Sequence, residues 1–273
     1  MTITENFYTQ NESSLGDELL TKGYVIREVN DRAGLDEMRR KVVETAADLI
    51  EKELPEDDCA FLDNIHQMVS VDRLNEFRLG LYRAMNSYSW FRPTYFQLGR
   101  PILEALVGNE LAMQNRINFS IQMPSERTSL LDIHADVFAG ETPYQVVQWL
   151  PLVDVYKTKS MFILPREKSE KVVANLIDYS AGGMRSLFDA VREDLVWLEI
   201  PYGKVLLFTP NVLHGNVLND EPATRWSLNC RFTGLLTPYG SAEKSLGAFY
   251  SPITPRPVTK IGSNYKQPIG FTE

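Results

Sequence analysis

Three side chains in this sequence have the types and spacing to share one metal ion. His134 and Asp136 stand two residues apart, and His214 follows much later in the chain. In an extended strand, residues i and i+2 point to the same face, so the first two can present an imidazole and a carboxylate together. Two imidazoles and one carboxylate on one side of a divalent ion leave coordination positions open, the arrangement of non-haem iron centres that handle an oxo acid and O2. The same donors also suit Zn(II) and hydrolysis. A bare His-x-Asp has a plainer reading, since a strand histidine beside a carboxylate is often only a hydrogen-bonded pair. The remaining histidine, His66, lies between Ile65 and Gln67 without a carboxylate at metal spacing and reads as structural.

The residues around His214 strengthen the metal reading. Val205-Leu206-Leu207-Phe208 is an apolar strand, Thr209-Pro210-Asn211 a turn, and His214 opens the next strand. After a second turn at Asn219–Pro222, a strand returns in which Arg225, Ser227, Asn229 and Arg231 share one face and Trp226, Leu228, Cys230 and Phe232 the other. A polar row of this kind faces either water or a cavity. If it lines a cavity, Arg225 with Ser227 suits a carboxylate, because a planar guanidinium can hold two oxygens at once. Asn118, Ser120 and Gln122 form a similar row that would make a second wall. Gln122 and Trp149 are further candidates for the cofactor side, and Asn118, Gln148 and Arg231 for the substrate. Arg78, Tyr82 and Arg83 could present donors and a ring from a helix, against the plainer reading of an amphipathic helix with solvated arginines.

The elements that must position these residues change character along the chain. Helical spacing predicts helices over Leu15–Thr21, Leu35–Glu53, Val71–Asn86 and Thr94–Leu106, with a short strand at Tyr24–Ile26. From Arg116 the period becomes two, predicting strands over 116–122, Ser129–Val137, Tyr144–Leu150, Ser160–Leu164, Lys204–Phe208, Leu213–Leu218 and Thr224–Thr233. A helical stretch over 167–195, broken near Gly182-Gly183, interrupts them. Helices followed by many short strands predict a mainly β fold, an antiparallel barrel or sandwich packed against a helical layer. The expected organisation is one domain over 1–273: a mostly helical N-terminal layer (1–110), the β core (111–235) and an extended, proline-bearing C-terminal arm (236–273). The loop Gly140-Glu141-Thr142-Pro143 follows the metal residues closely and could act as a lid.

Composition narrows the function classes. The chain has 273 residues, 44% hydrophobic and 23% charged, with a formal net charge of −8. No basic run is long enough to follow a phosphate backbone, so nucleic acid is not an expected partner. Two distant cysteines, Cys59 and Cys230, make no disulfide framework and fit a reduced, cytoplasmic setting. The polar, acidic N-terminus is not a signal peptide, and no apolar run is long enough to span a membrane.

The order of motifs resembles the phytanoyl-CoA dioxygenase superfamily: His134-Ala135-Asp136, then Gln148-Trp149-Leu150-Pro151-Leu152-Val153-Asp154, Phe162-Ile163-Leu164-Pro165, His214-Gly215 and Arg225-Trp226-Ser227. Arg225 lies eleven residues past His214, the spacing which that family uses for its 2-oxoglutarate arginine. More narrowly, Tyr156–Met161 and Asn229-Cys230-Arg231-Phe232 resemble the sporadic carbohydrate cluster group of oxygenases, over about residues 74–261. The resemblance implies a double-stranded β-helix (jelly-roll, cupin-like) core and an oxygenase using Fe(II), 2-oxoglutarate and O2. His134, Asp136 and His214 would be its metal ligands and catalytic residues, with a small polar metabolite as substrate, such as a sugar or aminoglycoside-like intermediate. Arg166-Glu167-Lys168 stand where the superfamily has Ser-His, which speaks against a CoA thioester. A carboxylate at 136, where the related halogenases have a small residue, speaks against halogenation. The alternatives are a zinc hydrolase on the same triad and a non-catalytic jelly-roll binding module.

Overall fold

In the first part of the chain, helix-terminating chemistry sets the boundaries. The computed structural model describes residues 7–180 and 182–270. Helix α1 (Gln10–Lys22) starts at a capping box, in which the Thr9 hydroxyl accepts from Glu12 N and the Glu12 carboxylate accepts from Thr9 N, and it stops at Gly23. Strand β1 (Tyr24–Glu28) follows, then α2 (Arg32–Leu49), α3 (Asp58–Asp63), α4 (Leu74–Ser87) and α5 (Phe91–Leu106). Helix α1 begins five residues before the apolar periodicity does, because its cap is polar and so precedes the stripe. Helix α3 is too short for periodicity to reveal.

The second part carries the strands: β2 (Leu111–Gln114), β3 (Asn118–Gln122), β4 (Gln145–Pro151) and β5 (Phe162–Ile163). Helices α6 (Arg166–Ala174), α7 (Leu176–Ser180) and α8 (Met184–Val191) intervene. Then come β6 (Val196–Trp197), β7 (Lys204–Phe208), β8 (His214–Gly215), β9 (Arg225–Gly234), β10 (Tyr250–Pro252) and α9 (Pro257–Ser263). The larger sheet runs β1-β7-β4-β9-β2-β10, with β3 also paired to β9; the smaller runs β6-β5-β8. Every pair of these strands is antiparallel.

Several expectations need correction. The fold is mixed rather than mainly β, since among the described residues helices cover more of the chain than strands, and the strand expected over Leu213–Leu218 is only His214–Gly215. Residues Ser129–Val137 do not form a strand; a single bridge, His134 to His214, stands in for it, and Asp136–Ala139 is a short 3-10 helix. The C-terminal arm is not merely extended, since β10 pairs with β2 and α9 follows.

Side-chain alternation on the larger sheet decides what lies on each side of it. Trp226, Leu228, Cys230 and Phe232 of β9, with Val146 and Leu150 of β4, join a core with α2, α4 and α5. Trp226 is fully buried and donates from Nε1 to Leu62 O at 2.8 Å, which meets the polar need of a large apolar side chain. From the opposite face, Val147, Trp149, Leu206 and Phe208 meet Ile163 of the smaller sheet and Met161 just before it. The smaller sheet is backed in turn by Val172, Leu187 and Val191 of α6 and α8. The layers are therefore helices, larger sheet, smaller sheet, helices, and the space between the sheets is where the polar row of β9 points. No helix among the described residues is long and apolar enough to cross a membrane.

Candidate metal centre and its cavity

The three metal candidates converge. One donor atom from each of His134, Asp136 and His214 can be chosen so that all lie within 4.8 Å of one another. The two histidine segments exchange backbone hydrogen bonds, His134 N to His214 O at 2.9 Å and His214 N to His134 O at 2.8 Å. That close approach requires Gly215: a Cβ there would sit 2.8 Å from Leu131 O and 2.9 Å from a ring carbon of Phe162. Ala135 is extended, with φ −114° and ψ 138°, so the i, i+2 geometry survives without a strand, and Gly140 (φ +82°) ends the short helix begun at Asp136.

Hydrogen bonding orients both rings. Nδ1 of His134 lies 2.7 Å from Asp132 O, and Nδ1 of His214 lies 3.0 Å from Val212 O. A carbonyl can only accept, so each Nδ1 carries a proton, and in the neutral ring each Nε2 keeps its lone pair. Those Nε2 atoms stand 3.7 and 3.9 Å from Asp136 Oδ1. Burial pulls the His214 pKa down to about 4, which keeps it neutral and able to ligate. Burial also acts to lower His134, but the Asp136 carboxylate and the Asp132 carbonyl outweigh it and raise its pKa. Burial would raise Asp136, yet His134 and the charge of Arg231 hold it well below the usual carboxylate range, so it is ionised.

These residues open onto a cavity of about 110 Å³, whose walls divide by chemistry. Val147, Trp149, Met161 and Phe208 make an apolar side, while Ser120, Asn216, Arg225, Asn229 and Arg231 make a polar one. Most of the division follows strand order: β7 and β4 bring Val147, Trp149 and Phe208, and β9 and β3 bring Ser120, Arg225, Asn229 and Arg231.

Arg225 is buried at one end of the cavity. It donates to Ser160 O at 3.2 Å and to Ser120 Oγ at 3.0 Å, and it forms no ion pair among the described residues. Its Nε, Ser227 Oγ and Ser160 Oγ are buried without a hydrogen-bond partner. Desolvation alone lowers its pKa to about 10. Buried polar groups are ordinarily satisfied, so these three unmet atoms, one of them on the guanidinium itself, set this part of the protein apart.

Of the other sequence candidates, Trp149 lines the cavity, and Asn118 reaches its edge through Asn229 Oδ1 at 3.0 Å. Gln122 does not line it: its amide donates to Val217 O at 2.6 Å and accepts from Asn216 at 3.4 Å, bracing the wall from behind. Gln148 is corrected as a substrate residue, since it points to the helical side of β4 and donates to Tyr95 O at 2.8 Å. Arg78, Tyr82 and Arg83 are corrected likewise. They sit on α4, which packs behind the larger sheet, where Arg78 bonds Asn75 and Arg83 borders a separate depression with Leu49 and Phe77. Arg231 faces the cavity as expected, but its guanidinium grips Asp136. The 140–143 loop is pinned: Glu141 and Thr142 are buried, and Thr142 Oγ1 donates to Pro238 O at 2.7 Å. Asn216 was missed, although it lies two residues past His214 and the same alternation would have placed it on the site. Ser160 and Met161 were missed as well: the strand expected over Ser160–Leu164 is only Phe162–Ile163, and these two residues lie just before it.

No protein-family model and no curated protein matches this chain. Solved structures do match. The nickel complex of the non-heme monooxygenase ThoJ is 15% identical, with 86% of each chain covered and a TM-score of 0.53. The non-heme alpha ketoglutarate dependent carbocyclase SnoK from nogalamycin biosynthesis is 13% identical, with 87% of this chain and 89% of that chain covered and a TM-score of 0.50. The chain thus shares its fold with non-heme metalloenzymes, and the likeness is one of fold.

Proposed function

We propose that the protein is an Fe(II)- and 2-oxoglutarate-dependent oxygenase acting on a small polar molecule such as a sugar or other natural-product intermediate. One observation carries the reading: a cavity with a two-imidazole, one-carboxylate donor set also holds a buried guanidinium with no carboxylate partner among the described residues. The donor chemistry fits a divalent ion, and the unmet donors at Arg225 fit a dicarboxylate's distal group. In this reading residues 111–235 form a double-stranded β-helix of the phytanoyl-CoA dioxygenase kind. The two-sheet stacking and the ThoJ-like fold support that assignment.

Bound there, Fe(II) with 2-oxoglutarate supplies the activation of O2, with succinate and CO2 as co-products. The chain's own residues do the positioning. His134 and His214 present neutral Nε2 atoms, Asp136 presents one carboxylate oxygen, and Arg225 with Ser227 and Ser160 receives the distal carboxylate. Val147, Trp149, Met161 and Phe208 keep water from one flank, while Asn229 offers its amide to a polar substrate and Asn216, bonded to Gln122, Ser129 and Leu131, braces the wall. With the carboxylate of Asp136 in the donor set, hydroxylation rather than halogenation is the expected outcome.

The test is spectroscopic and chemical. Anaerobic addition of 2-oxoglutarate to the Fe(II)-loaded protein should produce a visible metal-to-ligand charge-transfer band, and O2 should then release succinate. A protein that shows neither, but hydrolyses esters or amides with Zn(II), would overturn the reading.

A further inference from the structure

We propose that Arg231 is a positioning residue that fixes Asp136 as a one-oxygen ligand, and that Glu141 steadies Arg231 from behind. This rests on the reading of His134, Asp136 and His214 as metal ligands. Both Nε and Nη2 of Arg231 donate to the same atom, Asp136 Oδ2, at 3.1 and 2.7 Å. The other oxygen, Oδ1, is the one that faces the two histidine Nε2 atoms. A carboxylate held only by its backbone can rotate and offer either oxygen or both. Held at Oδ2 by two N–H groups, it offers Oδ1 alone and leaves the remaining positions free.

The guanidinium is itself held. Its Nη1 donates to Gln114 Oε1 at 3.3 Å, and its Nε lies 3.7 Å from Glu141 Oε1. Glu141 is almost fully buried, and the C-terminal segment grips it from outside: Lys244 Nζ lies 2.9 Å from Oε1 and Tyr250 Oη 2.7 Å from Oε2. Asp136, Arg231, Glu141 and Lys244 thus alternate in charge along one line. Each buried charge has an opposite neighbour, which such groups need. The metal ligand is connected in this way to a segment more than 100 residues further along the chain.

Cobalt(II) binding to the metal-free full-length protein tests this, followed by calorimetry and by the visible Co(II) spectrum. Loss of an outer partner of a metal ligand typically weakens affinity about 10- to 100-fold. Arg231→Met should fall in that range, with an altered spectrum and a native circular dichroism spectrum. Arg231→Lys, which keeps a cation but not the fork, should recover part of the loss. A purely structural ion pair would leave Co(II) affinity and spectrum unchanged in folded Arg231→Met, and that result overturns the proposal. Should Arg231→Met not fold, Arg231→Gln is judged the same way: weakened binding supports the proposal and wild-type binding overturns it. Asp136→Ala separates the two readings. If it keeps wild-type Co(II) affinity, the metal assignment fails and this proposal falls with it; if it loses Co(II) while Arg231→Met does not, only the positioning role is lost.

Discussion

Strand β9 carries two arginines on one face, six positions apart, and their surroundings could hardly differ more. Arg225 meets a carbonyl and a hydroxyl and, among the described residues, no carboxylate, and burial draws its pKa down to about 10. Burial acts on Arg231 too, but Asp136 and Glu141 outweigh it and raise its pKa. The same side chain on the same strand face therefore meets two different environments, and the sequence alone does not tell them apart. What separates them is which elements arrive opposite. The Ser160 segment and β3 bring only neutral groups to one end of β9, while the short helix at Asp136 and the loop at Glu141 bring acids to the other. In the proposed reading, the arginine without an acid receives a ligand, and the one supplied with two acids holds the protein's own groups.

The sharpest way to break this comparison is at Arg225. Removing one partner of a buried charge pair costs about 2–5 kcal/mol, roughly a 30- to several-thousand-fold loss of affinity. Arg225→Met should weaken 2-oxoglutarate binding to the Co(II)-loaded protein within that range and leave Co(II) affinity unchanged. Titration calorimetry of both ligands checks the pair of outcomes. If Arg225→Met binds 2-oxoglutarate normally while Arg231→Met does not, the two roles are exchanged.

A smaller effect with two opposite signs is expected at Ser227. Its hydroxyl is buried without a partner in the ligand-free protein. A buried, unmet polar group is a cost, so Ser227→Ala should leave thermal stability equal or slightly raised. If that hydroxyl donates to the bound carboxylate, the same substitution should weaken 2-oxoglutarate by about 0.5–1.5 kcal/mol, at most roughly tenfold. Stability and affinity moving down together would mean that Ser227 is satisfied by the protein, and that the end of the cavity at Arg225 is less open than its geometry indicates.

The sequence made some of this legible, for physical reasons that differ by element. Strand β9 is regular and half-buried, so its period of two exposed both the core row and the cavity row. The pairing of His134, Asp136 and His214 was readable because two of the three are near in sequence and extended. The strand expected over Ser129–Val137 was wrong because that segment is held by one bridge and by Asn216, whose Oδ1 accepts from Leu131 N at 2.6 Å, rather than by a ladder. The candidates on α4 failed for another reason. An amphipathic pattern tells that a helix has a buried face, but not which side of a sheet it packs against, and α4 lies behind β9. The pairing of Arg231 with Asp136 was out of reach, because the two lie 95 residues apart.

The smallest expected effect lies at the outer end of the charge line, at Lys244. Its side chain is a quarter exposed, whereas that of Glu141 is almost wholly buried. Two estimates compete. Exposed ion pairs contribute about 0–1 kcal/mol, while stripping the partner from a buried charge costs about 3–5 kcal/mol. The lower figure should hold, because Lys244→Met does not leave Glu141 alone. Tyr250 Oη stays 2.7 Å from its Oε2, and Arg231 Nε lies 3.7 Å from its Oε1. The replacement also keeps an unbranched apolar stem over the ring of Phe249, where Lys244 Nζ stands 3.9 Å from the centroid. Thermal unfolding should therefore register a loss of about 1 kcal/mol or less. What remains of the effect should be felt inward: with Lys244 gone, Glu141 competes harder for Arg231 and loosens its grip on Asp136. Co(II) affinity should then fall slightly, by less than for Arg231→Met and in the same direction. A fall as large as that of Arg231→Met would mean that the C-terminal segment, not β9, sets the position of Asp136.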